Sequence, residues 1–234
     1  MQRVSKPELL DSVTCSPREV TLAMQDLGRV NRWFGGVRTT QASLERVAQV
    51  TGARQFSLLE VAAGSGEVPN IVGRNLNRQG LTLDVTLLDR AASHLPGGQR
   101  ALVGDALVLP FPDGAFDLVS CSLFAHHLEP RPLAAFIREA LRVSRRALLI
   151  NDLVRHPAHL ALAYAAFPLM RSRVAWLDGL TSVRRAYVPE EIREIIASAF
   201  PGNAAPRVEI ARHYLFRMGV IVWKGGGAHT AVHP

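Results

Sequence analysis

The sequence predicts an α/β fold: a doubly wound, mostly parallel sheet with an antiparallel C-terminal hairpin, a helical N-terminal segment and a helical lid. Three observations carry that prediction. Between residues 55 and 152, short apolar runs alternate with helical stretches, the order that builds a parallel sheet covered on both faces. The first run, 56–62, is apolar without alternation, as a strand buried on both faces requires. The last two runs, 207–214 and 218–223, are joined too tightly for a crossover and should pair antiparallel.

The elements follow in order. Ser16-Pro17-Arg18-Glu19 has the pattern of a capping box, with Ser16 at the N-cap and Glu19 reaching back to the Ser16 N–H. The helix it opens should run to about residue 34 and stop at Gly35-Gly36. A second helix is predicted over 41–50, ending near Gly52. The strand at 56–62 leads into a loop of small residues and a helix over 68–77. Strands are predicted at 81–88, 100–103 and 116–121, then a helix over 132–143 and a fifth strand at 146–150. Helical character at 156–170 and 189–200 fills a stretch longer than one crossover needs, which predicts a lid over the sheet edge. Inside it, Asp178-Gly179 reads as a tight turn. The predicted organisation is a helical segment closing the ligand site at 1–52, a ligand-binding core at 53–152, the lid at 153–200, the strand pair at 201–225 and a flexible tail at 226–234.

Composition bounds the function classes. A chain of 234 residues with 48% hydrophobic side chains can bury a real core as one domain with a lid. Two cysteines, Cys15 and Cys121, are too few for a disulfide framework or a four-thiolate zinc site. The N-terminus has charge without an apolar stretch behind it, and no apolar run approaches a membrane span, so a cytoplasmic address is expected. The net charge of +7 comes from 27 Lys and Arg against 20 Asp and Glu, and only Lys6 and Lys224 are lysines. Residues 1–130 carry 12 basic and 13 acidic side chains, whereas 131–217 carry 14 and 7. A basic second half could face an anionic substrate, a membrane surface or nucleic acid, but it contains no polybasic block.

In an open parallel sheet, ligands bind outside the carboxyl ends of the strands. The first strand ends in Glu60-Val61-Ala62-Ala63-Gly64-Ser65-Gly66, small residues that let the backbone turn tightly and approach a ligand. The second ends in Asp89-Arg90, whose carboxylate can accept from a ribose diol. The third ends in Asp105-Ala106, an acid beside a small apolar residue that suits an adenine edge and face. A nicotinamide dinucleotide would want a third glycine where Glu67 stands, and an acid there disfavours a pyrophosphate.

These residues resemble the class I S-adenosylmethionine-dependent methyltransferases, a Rossmann-like family. Leu59 to Gly66 is similar to their motif of acid, aliphatic, small, small, Gly, Ser/Thr, Gly. Phe116-Asp117-Leu118-Val119 followed by His126-His127, and Arg142-Val143 before the fifth strand, also fit. The resemblance covers residues 55–152 and departs at Ala62, where glycine is commoner. It implies S-adenosyl-L-methionine as cofactor. Glu60 would support the loop and the methionyl amino end, and Ala62, Ala63, Gly64 and Gly66 would pass under the cofactor. Asp89 with Arg90 would lie at the ribose, and Asp105 with Ala106 at the adenine. Cys121 would border the cofactor from the fourth strand. The resemblance loosely extends to enzymes acting on quinones and phenolic polyketides.

Removing a phenolic proton calls for a base near neutral pKa, which points to His127, then His126, with Asp152 as base or orienter. The lid is rich in apolar residues, which suits a greasy or aromatic small molecule; Trp176, Phe167 and Arg184 are its candidate substrate contacts. His156 and His159 lie on the lid helix. No metal site is expected. The expected activity is methyl transfer to the oxygen of a phenol or quinol, with C-methylation, RNA-base methylation and a silent partner protein as the rivals.

Overall fold

The computed structural model describes residues 1–10, 15–202 and 205–225; the expected tail, 226–234, lies outside them. Helix α1 (Pro17–Trp33) opens with the expected capping box, Ser16 Oγ accepting from the Glu19 N–H and the Glu19 carboxylate accepting from Ser16 N. Helix α2 (Gly36–Thr51) starts five residues before the expected position. Gly35 takes the left-handed conformation, φ 83°, so Phe34 and Gly35 alone join the two helices and no longer loop is needed.

The core elements are β1 (Gln55–Val61), α3 (Glu67–Asn77), β2 (Thr82–Asp89), β3 (Ala101–Val103), β4 (Phe116–Ser122), α4 (Pro130–Val143) and β5 (Ser144–Leu153). The lid region holds α5 (Pro157–Ala165), α6 (Arg173–Arg185) and α7 (Pro189–Ala199), and β6 (Val208–His213) and β7 (Arg217–Trp223) form the hairpin. The seven strands take the order β3-β2-β1-β4-β5-β7-β6, with β7 antiparallel to both neighbours and the rest parallel. The chain reverses direction across the sheet between β1 and β4, which opens a crevice at their carboxyl ends.

One face of the sheet packs under α4 and α7, through Leu133, Phe136, Ile137, Ile192 and Ile196; the other packs under α2 and α3, through Leu44, Val47, Val72 and Leu76. The strands of the middle are buried on both faces, which is why 56–62 shows no alternation. Because α7 joins the main core beside α4, the part of 153–200 that stands over the strand ends is α5 and α6.

The tight turn expected at Asp178-Gly179 is absent: both residues lie in the middle of α6. Asp178 earns its helical place through tertiary contacts, its carboxylate accepting from the Leu9 and Leu10 N–H groups at 2.6 and 3.0 Å. Local propensity is a weak prior against such partners. Among the described residues no helix is long and apolar enough to cross a membrane.

Candidate active site: two cavities on opposite faces of one helix

The carboxyl ends of β1 and β2 carry a polar cleft of about 520 Å³, bounded by Ser65, Glu67, Ser93 and His94 and roofed by Thr21, Met24 and Arg32 of α1. Glu60, at the end of β1, is buried, and its carboxylate accepts from the Ser120 hydroxyl on the neighbouring strand. Burial raises its pKa to about 7. After Val61 the chain turns through Ala62 (φ 53°), Gly64 (φ 53°) and Gly66 (φ 67°). A left-handed backbone at residue 62 explains why glycine is the commoner choice there. At Gly66 a side chain would meet Leu87 Cδ1 at 2.5 Å, so glycine is needed for space as well.

Asp89, at the end of β2, holds this loop in place: its Oδ2 accepts from Gly64 N at 2.8 Å and its Oδ1 from Ala91 N at 2.9 Å. Burial works to raise its pKa, but hydrogen bonds from His94 and the two backbone N–H groups win and keep it below the ordinary value. Arg90 is exposed beside it. Asp105 is exposed and accepts from Leu107 N at 2.8 Å, with Ala106 half-buried next to it. Cys121 lies between Val61 and Ile150 with its thiol in the core, so only its main chain can border a ligand. Glu67 opens α3 and pairs with Arg32 at 3.2 Å, which places an acid where a pyrophosphate would want a helix N-terminus.

On the opposite face of α1 lies a second cavity of about 160 Å³. Its wall is apolar, formed by Leu27, Val30 and Phe34 of α1, Leu162 of α5, Met170, and Trp176 of α6. Its polar lining is Glu8, His159, Asp178, Ser182 and Arg217. Trp176 donates its indole N–H to Ala163 O at 3.1 Å. Phe167 packs on Trp176 at 4.7 Å but is itself exposed, and Arg184 donates to Tyr164 Oη at 2.8 Å. Neither Phe167 nor Arg184 borders the cavity.

The expected histidine pair sits in the short turn after β4, behind Glu8. His126 is buried, with Nδ1 2.6 Å from Asp152 Oδ1 and its backbone N–H donating to Asp152 Oδ2 at 3.0 Å. Burial disfavours the imidazolium, but the Asp152 and Glu8 carboxylates outweigh it and push the His126 pKa up to about 9. His126 is therefore already protonated near neutral pH, which makes it a poor base and a good partner for two carboxylates. Glu8 bridges the pair: Oε1 is 3.4 Å from His126 Nε2 and Oε2 is 3.5 Å from His127 Nε2. Glu8 Oε1 also accepts from Ser182 Oγ at 2.6 Å.

Several of these positioning residues carry no local signal in the sequence. Asp26, buried in α1, accepts from Arg171 N and Ser172 N, each at 2.8 Å, and so ties α1 to the start of α6. Arg185 donates to the carbonyls of Lys6, His126 and His127 at 3.0, 3.2 and 2.6 Å, binding the N-terminal segment over the histidine turn. Glu8 and Arg217 come to the site from the two ends of the chain; a charge falling at an apolar surface was the only available hint.

Residues 59–147 match the profile of a family described as methyltransferase domain. No curated protein matches the chain. Among solved structures, the plantazolicin methyltransferase BpumL with a pentazolic desmethylPZN analog and SAH is similar, with TM-score 0.71 at 11% identity over 93% of this chain and 95% of that one. A SAM-dependent methyltransferase from Aquifex aeolicus gives 0.57 at 14% identity over 88% and 98%. Human N-acetylserotonin methyltransferase gives 0.60 at 13% identity over 87% and 55%. At such identities these likenesses show the fold. The domain match over residues 59–147 and the strand order thus show a methyltransferase domain in this chain, on the fold of S-adenosylmethionine-dependent methyltransferases.

Proposed function

We propose that the acceptor is a small, apolar or aromatic molecule, methylated on the oxygen of a phenol or quinol. The observation that carries this reading is the apolar cavity between α1, α5 and α6, which has the greasy wall that a ring system needs. The Aquifex aeolicus and BpumL structures support the fold of this reading and leave the acceptor to the cavity's own chemistry.

S-adenosylmethionine, when bound, supplies an electrophilic methyl group on a sulfonium. The residues of this chain hold it and prepare the acceptor. Glu60 would face the methionyl amino group, the Ala62–Gly66 loop would pass beneath, Asp89 would receive the ribose hydroxyls, and Asp105 with Ala106 would meet the adenine. On the acceptor side, the hydroxyl proton would leave to Glu8, the carboxylate that borders the cavity, and to His127 behind it. Asp152 and the His126 cation would fix that pair in place. Glu8, His126 and His127 each offer a metal-ligand atom within 4.8 Å of the others. Because the His126 cation already balances the carboxylates there, the reading assigns the cluster no metal.

The test is turnover. Radiolabelled methyl should pass to phenols and hydroquinones of one to three rings and not to RNA, and fragmentation of the product by mass spectrometry should place the methyl on oxygen. Label on ring carbon, or label on RNA alone, would overturn the reading.

A further inference from the structure

We propose that one end of the acceptor cavity is an anion subsite, where Arg217 receives a negatively charged oxygen of an otherwise apolar occupant and His159 accepts a hydrogen bond beside it. The proposal rests on reading this cavity as the acceptor site, and it adds that the acceptor carries an acidic group, a carboxylate or an ionised enol or phenol, apart from the oxygen that is methylated.

Arg217 is the first residue of β7 and is 1% exposed, yet it lines the cavity. Its guanidinium donates to Asn31 Oδ1 at 2.9 Å and to Asn151 Oδ1 at 3.5 Å, both neutral amide oxygens. The Asn151 side chain is fixed by donating to Gly36 O and Thr40 Oγ1, each at 2.8 Å, which turns its Oδ1 toward Arg217. A guanidinium has five N–H donors in a planar fork suited to a carboxylate. Among the described residues this one meets no carboxylate directly. Asp152 acts on it only at a distance, with its own oxygens taken by His126 and by Leu153 N. Burying a cation without a counter-ion is expensive, and burial lowers the Arg217 pKa to about 10. An anionic ligand oxygen would relieve that cost.

His159 gives a second, independent observation. Its Nδ1 lies 3.0 Å from Val154 O, and a carbonyl can only accept, so Nδ1 carries the proton. Burial, with the nearby charge of Arg217, holds its pKa below the ordinary value, so the ring is neutral. Nε2 then keeps a lone pair on a ring that borders the cavity and stacks on Phe216 at 5.1 Å. The other charges on the wall are engaged elsewhere. Asp178 accepts from Leu9 N and Leu10 N, and Glu8 faces Ser182 and the histidine pair. Arg217 is the one Lys or Arg among the lining residues described.

The probes are 2-naphthoate and its neutral isostere 2-naphthamide, titrated calorimetrically into the full chain saturated with S-adenosylhomocysteine. The native protein should prefer the naphthoate by about 10- to 100-fold, the range of charge-assisted hydrogen bonds. Arg217→Gln should abolish the preference and Arg217→Lys should reduce it, with S-adenosylhomocysteine affinity unchanged in both. His159→Phe should remove the added affinity of 3-hydroxy-2-naphthoate over 2-naphthoate. Equal binding of the two probes to the native protein, or no binding of either, overturns the subsite, as does a preference that survives Arg217→Gln. Should Arg217→Gln fail to fold, the native comparison together with Arg217→Lys decides. Loss of S-adenosylhomocysteine binding by the native protein is a different outcome, which would strike the cofactor reading instead.

Discussion

The two sides of α1 are built differently. On the cofactor side, the floor comes from one stretch of chain and one strand end: Glu60 to Gly66 make the loop, and Asp89 fastens it through the Gly64 and Ala91 N–H groups. The proposed acceptor side is gathered from the whole chain: Glu8, His126, Asp152, Trp176 and Arg217 meet only after folding. The first side is set by backbone geometry, which tolerates little change. The second is set by side chains on helices pinned by single carboxylates such as Asp26 and Asp178, which leaves room for the acceptor to differ while the cofactor stays the same.

That contrast can be broken at either side. The largest effect is expected on the acceptor side: Glu8→Gln and His127→Ala should each lower kcat by ~10²–10⁴, the range of general acid–base catalysis, with S-adenosylhomocysteine affinity unchanged. Near-normal turnover in both would remove Glu8 and His127 from the chemistry. On the cofactor side, Asp89→Ala should do the reverse and weaken S-adenosylhomocysteine binding by ~1.5–3 kcal/mol, measured by calorimetry, since it removes charge-assisted hydrogen bonds.

A smaller effect follows from protonation. Glu60 is raised to about 7 from 4.5, so the folded chain binds this proton more tightly than the unfolded one. Its contribution to stability is full below pH 4.5 and is lost as pH rises through 7. His126, raised to about 9 from 6.5, adds a second loss between those values. Urea midpoints should therefore fall from pH 5 to pH 9, and Glu60→Gln should flatten the first part of the fall. Because an ionised Glu60 suits the methionyl ammonium, S-adenosylhomocysteine affinity should rise over the same first interval. The smallest effect is local: Ala62→Gly should stabilise by about 0.5–1 kcal/mol, the relief of a left-handed alanine less the added freedom of the unfolded glycine.

The same contrast explains what could be read from the sequence. The alternation of strands and helices, the loop at 60–66 and the capping box at Ser16 are local patterns, and buried strands and N-caps have local causes. Helix α6 was not legible as a helix, because Asp178 and Gly179 are turn formers, and Asp178 is held in helical geometry by distant partners such as the Leu9 and Leu10 N–H groups. The β5 strand runs three residues past its expected end to Leu153, since pairing with β7 at Asp152 and Leu153 replaces the propensity that Asn151-Asp152 lack. Glu8 and Arg217 left no periodic trace, as each acts through partners far away in the sequence, His126 for Glu8 and Asn31 and Asn151 for Arg217.

The central claim is that the cleft over β1 and β2 takes S-adenosylmethionine. The most direct measurement is the thermal unfolding of the native chain with S-adenosylhomocysteine or NAD at equal concentration. At a hundred times its Kd, a ligand that binds only the folded state adds ~2.7 kcal/mol, which for a chain of this size shifts Tm by about 5–10 °C. The account predicts that shift with S-adenosylhomocysteine and almost none with NAD. A shift with NAD and none with S-adenosylhomocysteine would contradict it.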